Sequence, residues 1–300
     1  MASHPLLVHA ALLTVSVVFG ANYVFTKEIL GVLPPQAWIF FRIAGATAVI
    51  LPLAFLLARS RIPARQYGWL CLAALLGVAV NHVLFIEGMA RTTPAHSAVI
   101  SALIPTWTLL AAVVAREERL TARKVVAIAT ALTGVAILLE ADQLIARGTG
   151  VTREMMVGDL LTIAGSISFA IHLVVMRRIG RSLDPWASLA VMFAFATLAT
   201  GAWCGPAIEA GHFEAVVQPP TLWYALYGVL AAYVLTYFLN TWALQRVDSS
   251  RVALYINVQP IVAASLGWAM GHTAPTWRFV SALALVATGL LLLNRAQRPA

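Results

Sequence analysis

The sequence predicts an all-α integral membrane protein of ten transmembrane helices, arranged as two inverted five-helix repeats with both termini cytoplasmic. Three observations lead there. Of 300 residues, 61% are hydrophobic and only 11% charged, too little polar surface to cover a soluble globule of this size. Ten apolar runs, each long enough to cross a hydrocarbon core about 30 Å thick, recur between short breaks. The second half of the chain repeats the residue pattern of the first, and an odd number of crossings per half inverts the second copy.

The first run, residues 8–28, opens within "MASHPLLVHAALL", which places no Lys or Arg ahead of it. It continues without a small-residue cleavage pattern, so a retained helix is expected rather than a secretory signal. The second, 35–58, ends at the basic cluster Arg59, Arg61 and Arg65. The third and fourth, 66–90 and 95–115, are separated by a short break at Arg91, and Arg116, Arg119 and Arg123 introduce the fifth, 122–140. The longest polar break, "EADQLIARGTGVTREM", is only loop-sized and leaves no room for a soluble domain. Beyond it lie 156–177, 186–207, 222–245, 250–271 and 276–294. The first repeat is assigned to 1–142, a connecting loop to 143–155 and the second repeat to 156–300. Cys71 and Cys204 fall inside predicted helices, one per half, and read as packing residues with no disulfide or metal site.

Basic residues set the orientation. With the N-terminus inside, fourteen Lys and Arg fall on inner segments and five on outer ones, with Arg42 inside a helix. Positive charge gathers on the cytoplasmic side, which places both termini there. The net charge of +8 therefore reflects orientation in a bilayer, with no basic domain to read nucleic acid.

Superposing "ISALIPTWTLLAAVV" on "YINVQPIVAASLGWA" puts Pro105 on Pro260, 155 residues later. The same offset pairs Arg91 with Arg246, His96 with Arg251 and Gly134 with Gly289, while an offset of 150 pairs Asn22 with His172 and Pro35 with Pro185. Inverted repeats let the same helices pack in two mirrored ways, the mechanical basis of alternating access, with substrate bound near the midplane between repeats.

Polar groups inside lipid are costly, so the few present are expected to face the bundle interior or a wet cavity. Asn22 and His172, at equivalent positions in the first and sixth runs, offer donors and acceptors suited to the ammonium and carboxylate of a zwitterion. Asn81 and His82 lie in the third run, opposite Thr236 and Tyr237 in the eighth. For both sets, lining the cavity and tying helices together are open readings. Pro105 and Pro260 each remove one backbone hydrogen bond in mid-run, freeing the carbonyls of Ser101 and Ile256, and are the candidate hinges. Trp107, Tyr255, Asn257 and Gln259 sit beside them as further candidate lining residues. For Trp107 a lipid-facing groove is an equal alternative.

The outer mouth is assigned to Arg42, Glu87, Arg91 and His96. Glu87 is five residues beyond His82, about 140° around the helix, so the two cannot share a proton, whereas Arg91 at i+4 favours an ion pair. Arg42 is expected to snorkel to the outer interface or to pair with Glu87. His96 opens the fourth run, as Arg251 opens the ninth. Glu118, among Arg116, Arg119 and Arg123, reads as part of a charge cluster bracing an inner loop.

The ordered set "VVFGANYVFTK", "FFR", "NHVLFIEGMARTTPAHSAVISALIP", "REERLTARKVVAIATALTGVAILL" and "GDLLTIAGSISFAIHLVVMRR" resembles the EamA family of the drug/metabolite transporter superfamily, over nearly the whole chain. The resemblance implies an exporter-type carrier in a bacterial inner membrane. It also implies a central cavity lined by the first, third, fourth and sixth helices with the eighth and ninth. Small multidrug carriers of that superfamily use a carboxylate in the first helix. Here the matching helix offers Asn22, which argues against lipophilic cations.

No phosphate-binding glycine loop with Lys and Ser or Thr is encoded, nor a nucleophile elbow, nor a His-rich metal pattern. The expectation is a secondary transporter, not an enzyme, without cofactor or metal, functional as a monomer. It exports small metabolites, neutral or aromatic amino acids foremost. Export of nucleobases, sugars or drugs is the alternative in the same class, and a membrane scaffold or lipid-handling protein the alternative in another.

Overall fold

The computed structural model describes residues 5–92, 97, 100–138, 152–208, 210–269 and 277–295. Among the described residues there is no strand. The principal helices are α1 (Pro5–Leu30), α2 (Pro35–Leu57), α3 (Ala64–Arg91), α4 (Ile104–Val114), α5 (Ala122–Leu138), α6 (Arg153–Gly180), α7 (Pro185–Cys204), α8 (Thr221–Leu244), α9 (residues 249–269) and α10 (Trp277–Arg295). A short helix, Ala210–Val217, connects α7 to α8. Six of these, α1, α2, α3, α6, α7 and α8, are long and apolar enough to cross a bilayer, and α4 and α10 contribute shorter apolar helices.

Helix starts follow local chemistry. α2 and α7 both begin on a proline, whose missing N–H is one that a first helical turn leaves unpaired in any case. The Asp184 carboxylate caps α7 by accepting from the Ala187 amide at 3.1 Å, and it also accepts from the Arg59 amide at 3.0 Å, tying the α2–α3 turn to the α6–α7 turn. The Thr152 hydroxyl accepts from the Met155 amide at 3.2 Å and starts α6.

The helices pack in pairs that exchange with one another when α1 is swapped for α6, α2 for α7, and so on through α5 and α10. α2 packs on α7, α5 on α10 and α4 on α9, each its own counterpart. α3 on α6 corresponds to α8 on α1, and α4 on α6 to α9 on α1. Such a pattern leaves α1, α3, α4, α6, α8 and α9 around the middle, with α5 and α10 set to one side.

Two interruptions recur at equivalent places. α3 widens into a π-helix over Leu75–Val80, and α8 does the same over Tyr227–Leu235. A turn at residues 102–103 separates the helical residues 100–101 from α4, just before Pro105, and α9 tightens to a 3₁₀ turn over Tyr255–Val258, just before Pro260. A proline cannot donate to the residue four back, so the turn preceding it is free to leave α geometry.

Candidate substrate cavity

A cavity enclosing about 100 Å³ of water-accessible space lies among α1, α2, α3, α4, α6, α8 and α9. By that measure a single water needs about 10–15 Å³, so the space holds several waters or a small polar group with an apolar body. Its wall is mixed: Phe19, Phe85 and Phe169 supply aromatic surface, and Asn22, Asn81, His82 and Asn240 supply hydrogen-bonding groups.

The π segment of α3 builds one side of this wall. A widened turn carries backbone carbonyls away from the regular ladder, and buried carbonyls need donors. Side chains from facing helices supply them. The Tyr237 hydroxyl donates to the Gly77 carbonyl at 2.8 Å, the Ser168 hydroxyl to Leu76 at 2.7 Å, and the His172 ring Nδ1 to Ala73 at 2.8 Å. The His82 ring Nδ1 lies 2.8 Å from the Val78 carbonyl in the same segment. Since a carbonyl only accepts, Nδ1 carries the hydrogen in both imidazoles, and Nε2 is the acceptor of the neutral ring.

Arg42 is a correction to the sequence-based expectation. It is buried inside the bundle and does not pair with Glu87. Its side chain is 2% exposed and forms part of the cavity wall. The guanidinium lies 5.2 Å from the centre of the Trp38 ring, one turn back on α2, and 4.7 Å from that of Tyr233 on α8. Gly228 makes the room: a Cβ there would stand 2.9 Å from the Trp38 ring and 3.6 Å from the Arg42 chain. Glu87 instead forms an ion pair with Arg91 at 2.5 Å and accepts from the Gln36 amide at 2.5 Å, at the end of the bundle where α2 starts and α3 stops.

The remaining candidates divide. Asn22, Asn81, His82, Tyr237 and Tyr255 line the cavity, and the Asn22 side-chain oxygen has no hydrogen-bond partner. His172, expected beside Asn22, lies behind the wall, bonded to α3 and stacked on Phe169 at 5.6 Å. Trp107 and Asn257 are also outside the lining, Asn257 fully buried with neither amide atom partnered. Pro105 and Pro260 sit two residues past the irregular turns that precede α4 and interrupt α9. His96 lies outside the described residues. Reasoning from sequence passed over Tyr23, Thr26, Ser166 and Asn240 in the wall. Helical spacing held a signal for two of them, since Asn240 is one turn beyond Tyr237 and Thr26 one turn beyond Asn22.

The end of the bundle where α1 begins is tied shut across the two halves. Glu118, in the turn after α4, accepts from the Ser249 hydroxyl at 2.7 Å, from the Ser250 amide at 3.0 Å and hydroxyl at 2.5 Å, and from Lys124 at 2.6 Å. Burial pushes the Glu118 carboxyl up, but Lys124, Ser250 and Ser249 outweigh burial and hold it below its ordinary value. Its partners are thus Lys124 and the start of α9 rather than the neighbouring arginines. Asp248 extends the tie to Lys124 at 3.8 Å and to Arg177 of α6 at 3.7 Å. Deeper in, the His9 ring of α1 bonds the Tyr255 hydroxyl and lies 3.0 Å from Arg251, and the Ser16 hydroxyl donates to the Tyr255 carbonyl at 2.8 Å. Among the described residues no three His, Cys, Asp or Glu gather as a metal site.

Known proteins resemble this chain. The "Uncharacterized transporter YyaM" of Bacillus subtilis is 23% identical over 95% of this chain and 92% of its own length. A WAT1-related protein of Arabidopsis thaliana is 23% identical over 82% of this chain and 66% of its own, and the "Uncharacterized inner membrane transporter YhbE" of Escherichia coli is 29% identical over 41% and 40%. A solved crystal structure of another protein superposes with a TM-score of 0.74 at 20% identity, covering 97% of this chain and 99% of that one, which shows the shared fold. The EamA-like transporter family matches twice, over residues 6–140 and 156–295, and with the helical bundle and its central cavity this places the chain in that family, as a multi-pass membrane transporter.

Proposed function

We propose that this protein is a secondary carrier that moves small metabolites, neutral or aromatic amino acids foremost, outward by alternating access. The observation that carries the reading is a cavity with polar and aromatic lining, enclosed by helices from both family-matched halves. In this reading ten crossings form two inverted five-helix repeats, both termini are cytoplasmic, the location is a bacterial inner membrane and the monomer is the working unit. The relatives named as bacterial transporters support that location.

Asn22, Asn81, His82, Tyr237 and Tyr255 contact the substrate. Pro105 and Pro260 act as hinges, because each follows an interruption in its helix. Glu87 and Arg91, with His96, shape the outer mouth, and the Glu118 tie holds the cytoplasmic side closed. Energy comes from the substrate's own gradient, since among the described residues of the wall Arg42 is the only formally charged side chain and no carboxylate offers a proton site.

The test is counterflow of radiolabelled amino acids into proteoliposomes preloaded with unlabelled amino acid, at matched pH. Saturable uptake supports the carrier. A folded protein that moves no solute, in this panel or in one of nucleobases and sugars, leaves the scaffold reading instead.

A further inference from the structure

Arg42 is a buried cation with no carboxylate partner among the described residues. It lies seven residues inside α2, within a span apolar enough to cross a bilayer, and is 2% exposed. An arginine at the centre of a membrane helix costs about 2.5–3.5 kcal/mol even on the most lenient scale. Buried cations in proteins are ordinarily matched by a carboxylate. None of the ion pairs among the described residues includes Arg42, and its Nε has no hydrogen-bond partner. Trp38 and Tyr233 offset part of the cost through their ring faces. They leave the fork of N–H donors without a planar acceptor.

The surroundings hold this group in place and give it an outlet. Trp38 and Tyr233 flank the guanidinium, and Gly228 is the position whose lack of a side chain admits the Trp38 ring. Arg42 is part of the cavity wall, and among the described residues no Asp or Glu lines that cavity. A zwitterion's ammonium therefore finds no counter-charge there, whereas an anion does. One guanidinium matches one negative charge, so a dianion such as a phosphate monoester would enter the low-dielectric interior with charge left over.

Building on the carrier reading above, we infer that Arg42 is the counter-charge for the carboxylate of the transported molecule, and that the cavity selects apolar or aromatic monocarboxylates by that group. An α-amino group is tolerated by Asn22 and Asn81 but is not what the site recognises. Phe19, Phe85 and Phe169 take the apolar body. The unliganded cavity carries uncompensated positive charge, and the bound anion removes it.

Calorimetric titration of the protein in lipid nanodiscs, against empty nanodiscs, tests this with probes that share a phenylethyl skeleton: 3-phenylpropionate, phenylalanine, 3-phenylpropionamide, phenethylamine and phenethyl phosphate. The two carboxylates are expected to bind, and the amide and amine to bind about tenfold to a hundredfold more weakly, the usual worth of a hydrogen bond to a charged partner. Arg42→Gln should erase the preference of acid over amide, and Arg42→Lys should retain part of it. Should Arg42→Gln fail to fold, the comparison of acid with amide on the unaltered protein still decides. Equal binding of acid and amide, tightest binding of the amine or the phosphate, or no binding by any probe each overturns the inference. Counterflow separates this from the broader reading: saturable uptake of a neutral or cationic solute leaves the carrier standing while the role of Arg42 falls.

Discussion

The imidazole of His172 lies directly over Gly77: a Cβ added at Gly77 would stand 2.2 Å from the ring. The same ring donates to the Ala73 carbonyl, one turn back on α3, so α6 grips α3 where the latter widens. No side chain larger than hydrogen fits at Gly77 while that bond exists. Gly77→Ala is therefore expected to expel the ring and cost about 1–3 kcal/mol, as overpacking does in tight interiors. His172→Ala in the same chain should restore part of the lost melting temperature. His172→Ala alone should leave ligand affinity intact, because the ring is outside the cavity wall. A large loss of affinity in folded protein would refute that placement.

Asn22 and Tyr237 both line the cavity but differ in what they hold up. The Tyr237 hydroxyl satisfies the Gly77 carbonyl, so Tyr237→Phe should lower stability by about 0.5–1.5 kcal/mol. The Asn22 oxygen has no partner in the protein, so Asn22→Ala should change melting temperature little and weaken substrate binding severalfold. Thermal denaturation and counterflow on both variants would reveal the contrast, and the opposite assignment would count against Asn22 as a substrate contact.

Glu118 sets a pH dependence. The folded protein holds its carboxyl below the ordinary 4.5, so the ionised form is favoured by folding. Its stabilising contribution is complete above that ordinary value and is lost as pH falls from there through the lower folded value. Melting temperature should accordingly drop on acidification below about pH 4.5. Glu118→Gln should start lower at pH 7 and show a shallower acid slope. A slope identical to that of the unaltered protein would remove Glu118 from the acid response.

Pro105 and Pro260 follow the irregular turns of α4 and α9. Replacing either by Ala supplies an amide that can reach the carbonyl of Ser101 or Ile256, extending the α geometry across the break. Pro105→Ala and Pro260→Ala are expected to keep equilibrium binding of substrate and to slow counterflow, with the double variant slower than either. Unchanged flux in both single variants would argue that the helices move as rigid bodies.

Much of the molecule is legible in its residues. A bilayer admits only backbone that satisfies its own polar groups, so apolar stretches of 20 residues or more can be read directly as the spans that α1, α2, α3, α6, α7 and α8 occupy. Matched prolines 155 residues apart likewise mark where α4 and α9 break. Trp38 could have been matched to Arg42 from their i, i+4 spacing.

What the tertiary structure decided is which way each polar group faces and what meets it. His82 and His172 look alike in sequence, each a lone imidazole in an apolar helix. In the folded bundle His82 lies in the cavity wall, whereas His172 lies behind it, bonded to the Ala73 carbonyl of α3. Arg42 reads as an interface residue until Tyr233 arrives from α8, almost 200 positions along the chain, and Gly228 opens space for Trp38. Hydropathy is a property of a segment and survives in one dimension. The partner of a buried charge is a property of packing between distant segments, and only the folded bundle supplies it.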